Sequence, residues 1–170
     1  MIETIYFTAP AWLSNTLTAI FYYALMDKNH IIPSWPVDFG ATIRGRRLFG
    51  NNKTFFGCIF TILISALIGS LQGRSIIGWT MGIATVIGTL INSFAKRRLN
   101  ITPGGTLFPF DQLDYAIMNT MVLYLFEATP PSFNIFYFLG FALIYQLSIN
   151  ALAFKFGFIK RFLWWRNDRV

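Results

Sequence analysis

Two aspartates three residues apart, Asp111 and Asp114, follow closely on three consecutive cations, Lys96, Arg97 and Arg98. On a helix, residues at that spacing share a face. Two carboxylates in register suit Mg²⁺, a hard ion that takes oxygen ligands and shares its shell with phosphate. A basic cluster beside them would hold the rest of a polyphosphate. A plainer reading stays open: Asp111 as the N-cap of a helix, accepting a first-turn amide. Asp114, one turn deeper and close to hydrocarbon, calls for a cationic partner in either case.

Upstream, Thr85, Thr89, Asn92, Ser93 and Lys96 recur at i, i+4, i+7, i+8 and i+11, so at helical spacing they form one polar stripe. Gly88 borders it and would let a ligand or another helix approach closely. Such residues also serve as glue between membrane helices. Because the stripe runs into Lys96, that lysine is the one expected to face a bound anion, with Asn92, Ser93 and Arg97 beside it. Arg98 is equally readable as a stop-transfer charge.

A third cluster lies in PVDFGATIRGRRLFGNNKTFFG, residues 36–57. Gly45, Gly50, Lys53 and Thr54 invite a P-loop reading, but that motif needs adjacent Gly-Lys between a strand and a helix, and two asparagines intervene here. The P-loop is rejected. Arg46, Arg47, Lys53 and Thr54 remain phosphate-friendly groups near a helix start. Gly57, Thr61, Ser65 and Gly69 recur every four residues and read as a helix-packing face. Asn15, Gln146 and Asn150 read either as ties between helices or as a polar headgroup site, and Asn15 is kept as a substrate-binding candidate. His30, Glu127 and the single cysteine, Cys58, offer no nucleophilic triad or cysteine-based metal cluster and read as structural, Cys58 as a small buried apolar residue.

The elements that must position these groups are apolar. The 170 residues are 55% hydrophobic and 12% charged, with a mean hydropathy of +0.52; a soluble domain would need about twice that charge. The net charge of +7 alone would admit a nucleic-acid binder, but the apolar runs are too long for one. Five candidate spans run over about 5–26, 54–73, 76–95, 113–129 and 133–154. Glu3 and the absence of an N-terminal basic region argue against a cleaved signal peptide. Thirteen of fourteen cations fall on alternate connections, which places the N-terminus outside and the C-terminus in the cytoplasm. Trp164 and Trp165 suit the interfacial belt. The expectation is an all-α, five-helix, multi-pass protein of the cell membrane, one domain over 1–170, with two longer cytoplasmic loops at about 27–53 and 96–112.

In order, PAWLSN, PVDFG, GRRLFGNNKTFFG, SFAKRR and PGGTLFPFDQLDY cover most of residues 10–115. Together they resemble the CDP-archaeol synthases, membrane relatives of the CDP-diacylglycerol synthases. The resemblance implies a five-helix enzyme that condenses CTP with an isoprenoid ether-lipid phosphate, using Mg²⁺, to give a CDP-activated lipid and pyrophosphate. It implies Asp111 and Asp114 as metal ligands and, with Lys96, as the catalytic group, while Arg46, Arg47, Lys53 and Arg97 hold the phosphates; Thr54, Asn92, Ser93 and Asn15 join them as substrate-binding candidates from the residue pattern. The partners so implied are CTP, a lipid phosphate and the bilayer, with a homodimer also admissible and no nucleic acid. One departure stands out. Family members resemble Gly-Asp before the S-F-x-K-R-R run, where this chain has Gly88-Thr89. The missing carboxylate leaves three readings: a one-metal enzyme, a ligand moved to Asp38 or to substrate phosphate, or an impaired relative that binds nucleotide or anionic lipid.

Overall fold

A computed structural model describes residues 1–22, 35–101 and 105–157. Lys28, His30, Pro103, Gly104, the cations from Lys160 onward and Trp164–Trp165 lie outside the described residues. Within them the chain is mostly helical: α1 (Ile2–Phe7), α2 (Ala9–Tyr22), α3 (Phe55–Leu71), α4 (Ser75–Arg98), α5 (Phe110–Leu125) and α6 (Ile135–Lys155). By length and composition α4 and α6 can cross a membrane, and α3 is apolar but shorter, at 17 residues.

The expected first span is broken between Phe7 and Ala9. Pro10 has no N–H to give the carbonyl of Tyr6 four residues back, and that carbonyl accepts from a backbone N–H at the end of α1 and from Gln72 Nε2. Helix α4 is longer than its apolar stretch, continuing through Lys96–Arg98, while α5 is shifted toward the N-terminus, starting at Phe110 and ending at Leu125. Hydropathy marks where hydrocarbon ends, and a helix can run on past it. Glu127 falls beyond α5, exposed and with a φ of +50°.

Helices α3 and α4 form a hairpin whose close approach needs glycine. A Cβ on Gly69 would stand 2.4 Å from Gly78 Cα, and Ser65 Oγ donates to the Gly78 carbonyl at 2.8 Å. The Gly57–Thr61–Ser65–Gly69 face is thus spent on packing, Thr61 also donating to Thr18 Oγ1 of α2. The core joins Phe7, Ala11, Met81, Tyr115, Ala116, Leu123, Phe138 and Ala142. Helix α4 buries Gly78, Met81, Gly82, Thr85 and Gly88, while Ile76, Ile83, Ile87 and Ile91 are exposed. Small or polar residues inside and large apolar ones outside are the pattern of a bundle in lipid.

One feature departs from all-α. Thr42–Ile43 pairs antiparallel with Arg46–Arg47 through a two-residue turn, Arg44–Gly45, with φ of +52° and +74°. Positive φ at both turn residues is the geometry that matches the twist of a tight hairpin. At the loop's base Val37 N donates to Lys53 O at 2.8 Å and Phe55 N to Trp35 O at 2.9 Å. That short zipper delivers Lys53 to the start of α3.

Candidate active site

The site lies where the C-terminal end of α4, the first turns of α5 and the 35–54 loop meet. Gly88 sets how close the two helices come: a Cβ there would stand 2.5 Å from the Asp114 carbonyl oxygen and 3.0 Å from Met118 Cβ. The close approach permitted to a ligand or helix is taken by a helix. Across this contact Asn92 Nδ2 donates to Asp111 Oδ1 at 2.7 Å and to Asp114 Oδ2 at 2.9 Å. One turn on, Lys96 Nζ reaches both oxygens of Asp111, at 3.0 and 2.9 Å.

Asp111 is not the N-cap. Pro109 holds that position without a side-chain bond, and Asp111, in the first turn, reaches back to accept Leu107 N at 2.9 Å. Proline's fixed φ suits a helix start, and a first-turn carboxylate is favoured by the helix dipole. Lys96 faces a carboxylate rather than open water, so its expected role toward a bound anion requires it to leave Asp111 or to share.

The polar stripe divides by depth. Thr85 is fully buried and accepts from Asn119 Nδ2 of α5 at 2.9 Å, which makes it interhelical glue. Thr89, half-buried, donates its hydroxyl to Val86 O of its own helix at 3.1 Å. Asn92 and Lys96 make the carboxylate contacts, and Ser93, half-buried, is next to Asn92 on α4.

Lys53 belongs to this group. The residue is partly exposed; burial lowers its pKa from the ordinary lysine value while the charges of Asp114 and Asp111 pull it upward. Thr54, 2% exposed, is the N-cap of α3 and accepts Gly57 N at 3.2 Å; it is a capping residue rather than a group open to substrate. Asn15 Nδ2 reaches Gln146 Oε1 of α6 at 3.5 Å, and Asn15 is not among the side chains touching the carboxylates. That contact joins α2 to α6, and Gln146 in turn donates to Asn150 at 3.3 Å. Cys58 is half-buried rather than buried.

Asp38 organises the loop. Its Oδ1 accepts Gly40 N at 3.2 Å, its Oδ2 accepts Phe49 N at 3.0 Å and Gly50 N at 3.1 Å, and Arg47 donates to both oxygens. Burial alone would raise the Asp38 pKa, but Arg47 and the three amides overturn it and hold the group well below the usual carboxylate range. A carboxylate so engaged is committed to closing its own loop. Arg47, paired with Asp38 and donating to Asn51 Oδ1 at 2.9 Å, is held by its own loop. Arg46 donates to Arg98 O at 3.0 Å, a carbonyl at the negative end of α4.

Arg98 is no mere boundary charge. Its guanidinium donates to the carbonyls of Ile43 (2.8 Å), Arg46 (3.1 Å) and Arg47 (2.8 Å) and stacks over Phe94, so it fastens the hairpin to α4. Arg97 lies on the same helix end, its Cδ 4.0 Å from where a Gly50 Cβ would be. Nothing in the one-dimensional pattern separates Arg98 from its neighbours. The Asp38 role had a signal: Asp-x-Gly is an Asx-turn pattern in which the side chain accepts the amide two residues on.

Among the described residues no three or more His, Cys, Asp or Glu side chains converge. Two carboxylate oxygens aimed at a common point fit a hard divalent cation that completes its shell from phosphate and water. The chain matches the CarS-like CDP-archaeol synthase family over residues 1–77 and 73–165. It belongs to that family. It is 30% identical to the CDP-archaeol synthase of Methanocaldococcus jannaschii, covering 97% of both chains. It is also 30% identical to that of Saccharolobus islandicus over 70% of this chain and 76% of the other, and 34% identical to that of Pyrobaculum arsenaticum over 59% and 65%. A solved structure, described as an intramembrane enzyme for archaeal membrane lipid biosynthesis, shares the fold with a TM-score of 0.58, at 22% identity over 94% of this chain and 95% of that one. Membership in the CDP-archaeol synthase family and the outward-facing apolar helices make this a membrane protein with the cytidylyltransferase assignment of its family.

Proposed function

We propose that the chain transfers CMP from CTP to an ether-linked or related lipid phosphate, giving a CDP-activated lipid and pyrophosphate. The observation that carries this is the hold of Asn92 on both Asp111 and Asp114 and of Lys96 on Asp111, with Lys53 in the same field. An oxyanion of the lipid phosphate attacks the α-phosphorus of CTP, the bond from that phosphorus to the β-phosphate bridging oxygen breaks, and pyrophosphate leaves. The nucleophile is already an anion, so no side chain need remove a proton. Lys53, Lys96, Arg46 and Arg97 offset charge on the triphosphate and on the departing pyrophosphate, and the loop holds the nucleotide in line. Asp111 and Asp114 would hold Mg²⁺, which when bound supplies Lewis-acid neutralisation of phosphate oxygens.

The alternation of cations supports a five-span arrangement with the N-terminus outside and this site at the cytoplasmic face, where CTP is available. A panel of ether- and ester-linked phosphatidic acids and a polyprenyl phosphate, offered with CTP and Mg²⁺ to protein in liposomes, tests the reaction and ranks the lipids. Pyrophosphate release above background with at least one is expected; none across the panel contradicts the proposal.

Thr89 favours a second reading, a relative whose catalysis is impaired. Its hydroxyl brings no charge and is already engaged with Val86. In the same assay Thr89→Asp separates the two: a large gain marks a weakened site, and no gain beside robust wild-type turnover marks a rearranged one.

A further inference from the structure

The group standing between the two carboxylates is neutral. Asn92 Nδ2 lies 2.7 Å from Asp111 Oδ1 and 2.9 Å from Asp114 Oδ2. Only the amine side of an amide can meet two carboxylate oxygens, so chemistry fixes its orientation. The other oxygens also have donors: Asp111 Oδ2 takes Lys96 Nζ and Leu107 N, and Asp114 Oδ1 takes Tyr115 N at 2.6 Å. A cation entering here displaces donors rather than filling a gap. Mg²⁺ would also need its oxygens at about 2.0–2.1 Å, nearer than the amide holds them.

We propose that Asn92 is a positioning residue that bridges Asp111 and Asp114 in the substrate-free site and competes with a divalent cation for them. This rests on the cation-binding reading of the site given above. The two amide bonds stabilise the cation-free arrangement and are lost when the carboxylate oxygens turn to the ion. Removing the amide therefore destabilises one side of the binding equilibrium only, and cation affinity rises. Lys96 opposes the ion in the same way through Asp111. The nucleotide, by drawing Lys96 onto its phosphates, strengthens cation binding, so the ion and the triphosphate enter together.

Mn²⁺ titrated into detergent-purified protein without CTP or lipid, with free Mn²⁺ followed by electron paramagnetic resonance, tests this. Asn92→Ala is expected to bind Mn²⁺ about tenfold tighter than wild type, the loss of two bonds to charged acceptors being worth at least that ratio. Asn92→Ser, which keeps one donor and also serves if the alanine variant does not fold, falls between. Adding Asp111→Asn to either removes the gain, and melting curves without Mn²⁺ establish that each protein is folded. Unchanged or weaker binding in both Asn92 variants, with Asp111→Asn still losing the ion, overturns the competition and leaves the metal site standing. No Mn²⁺ bound by wild type or variants even with CTP overturns the cation-binding reading and this inference with it.

Discussion

Asp38 and the Asp111–Asp114 pair are carboxylates set among cations within one site, yet they are held in opposite ways. Asp38 gathers Arg47 and three backbone amides of its own loop, so its charge is spent on folding. Asp111 and Asp114 each accept one backbone amide, from Leu107 and Tyr115, but their other donors are side chains of another helix, and a single amide nitrogen serves both. Donors on a flexible side chain can be exchanged for a ligand, whereas backbone amides of a closed loop cannot without unfolding it. The contrast separates a carboxylate that builds the site from two that work in it.

The sharpest way to break that contrast is to neutralise each kind in turn. Asp111→Asn or Asp114→Asn is expected to abolish pyrophosphate release, a fall of at least about a hundredfold, the scale of losing a group that acts on transition-state charge. The protein should stay folded, because an asparagine can still accept from Asn92. Turnover within a few fold of wild type would remove these residues from the working class.

Next in size is the helix contact beneath them. Gly88→Leu would drive a side chain into the Asp114 carbonyl and Met118 and push α5 away from α4. Overpacking of this kind costs roughly 1–3 kcal/mol, and the displaced carboxylates should lower kcat more than stability alone explains. A thermal melt and a turnover assay on one preparation check both.

Asp38→Asn tests the structural member. Its loss leaves Arg47 and buried amides short of an anionic acceptor, at roughly 1–3 kcal/mol of local stability. The expected result is faster proteolysis between residues 38 and 52 and a raised KM for CTP, with kcat changed less. The pH dependence has a definite sign. A carboxylate whose folded pKa is depressed contributes stability that is present above its unfolded value, about 3.9, and is lost as pH falls through the folded value. Loop protection should therefore be flat from pH 8 to pH 5 in wild type and weaken only under more acidic conditions.

Much of this site was legible in the sequence, and the limits have physical causes. The stripe from Thr85 to Lys96 is real because helical spacing alone brings residues to one face. The sequence could not say what that face meets, and it meets Asp111 and Asp114 rather than solvent. Helix α4 runs past its apolar stretch and α5 starts before its own because hydropathy reports solvent, not hydrogen bonding. The break before Ala9 was signalled by Pro10, but an apolar window passes over a proline whose freed carbonyl is met from another helix. Arg98 reads as a boundary charge because its three carbonyl partners lie more than fifty residues away.

The smallest expected effect concerns Asn15, where the sequence allowed both a headgroup contact and a tie between helices. The observed partner is Gln146 at 3.5 Å, at the long limit of hydrogen bonding. Double-mutant cycles on polar contacts between membrane helices average about 0.6 kcal/mol, and so long a bond should not exceed that. Asn15→Ala should therefore lower the melting temperature by a degree or two at most and leave KM for the lipid phosphate within about twofold. A selective rise in that KM with melting unchanged would instead place Asn15 among the groups that touch lipid, and would extend the working region from the α4–α5 carboxylates across the bundle to α2.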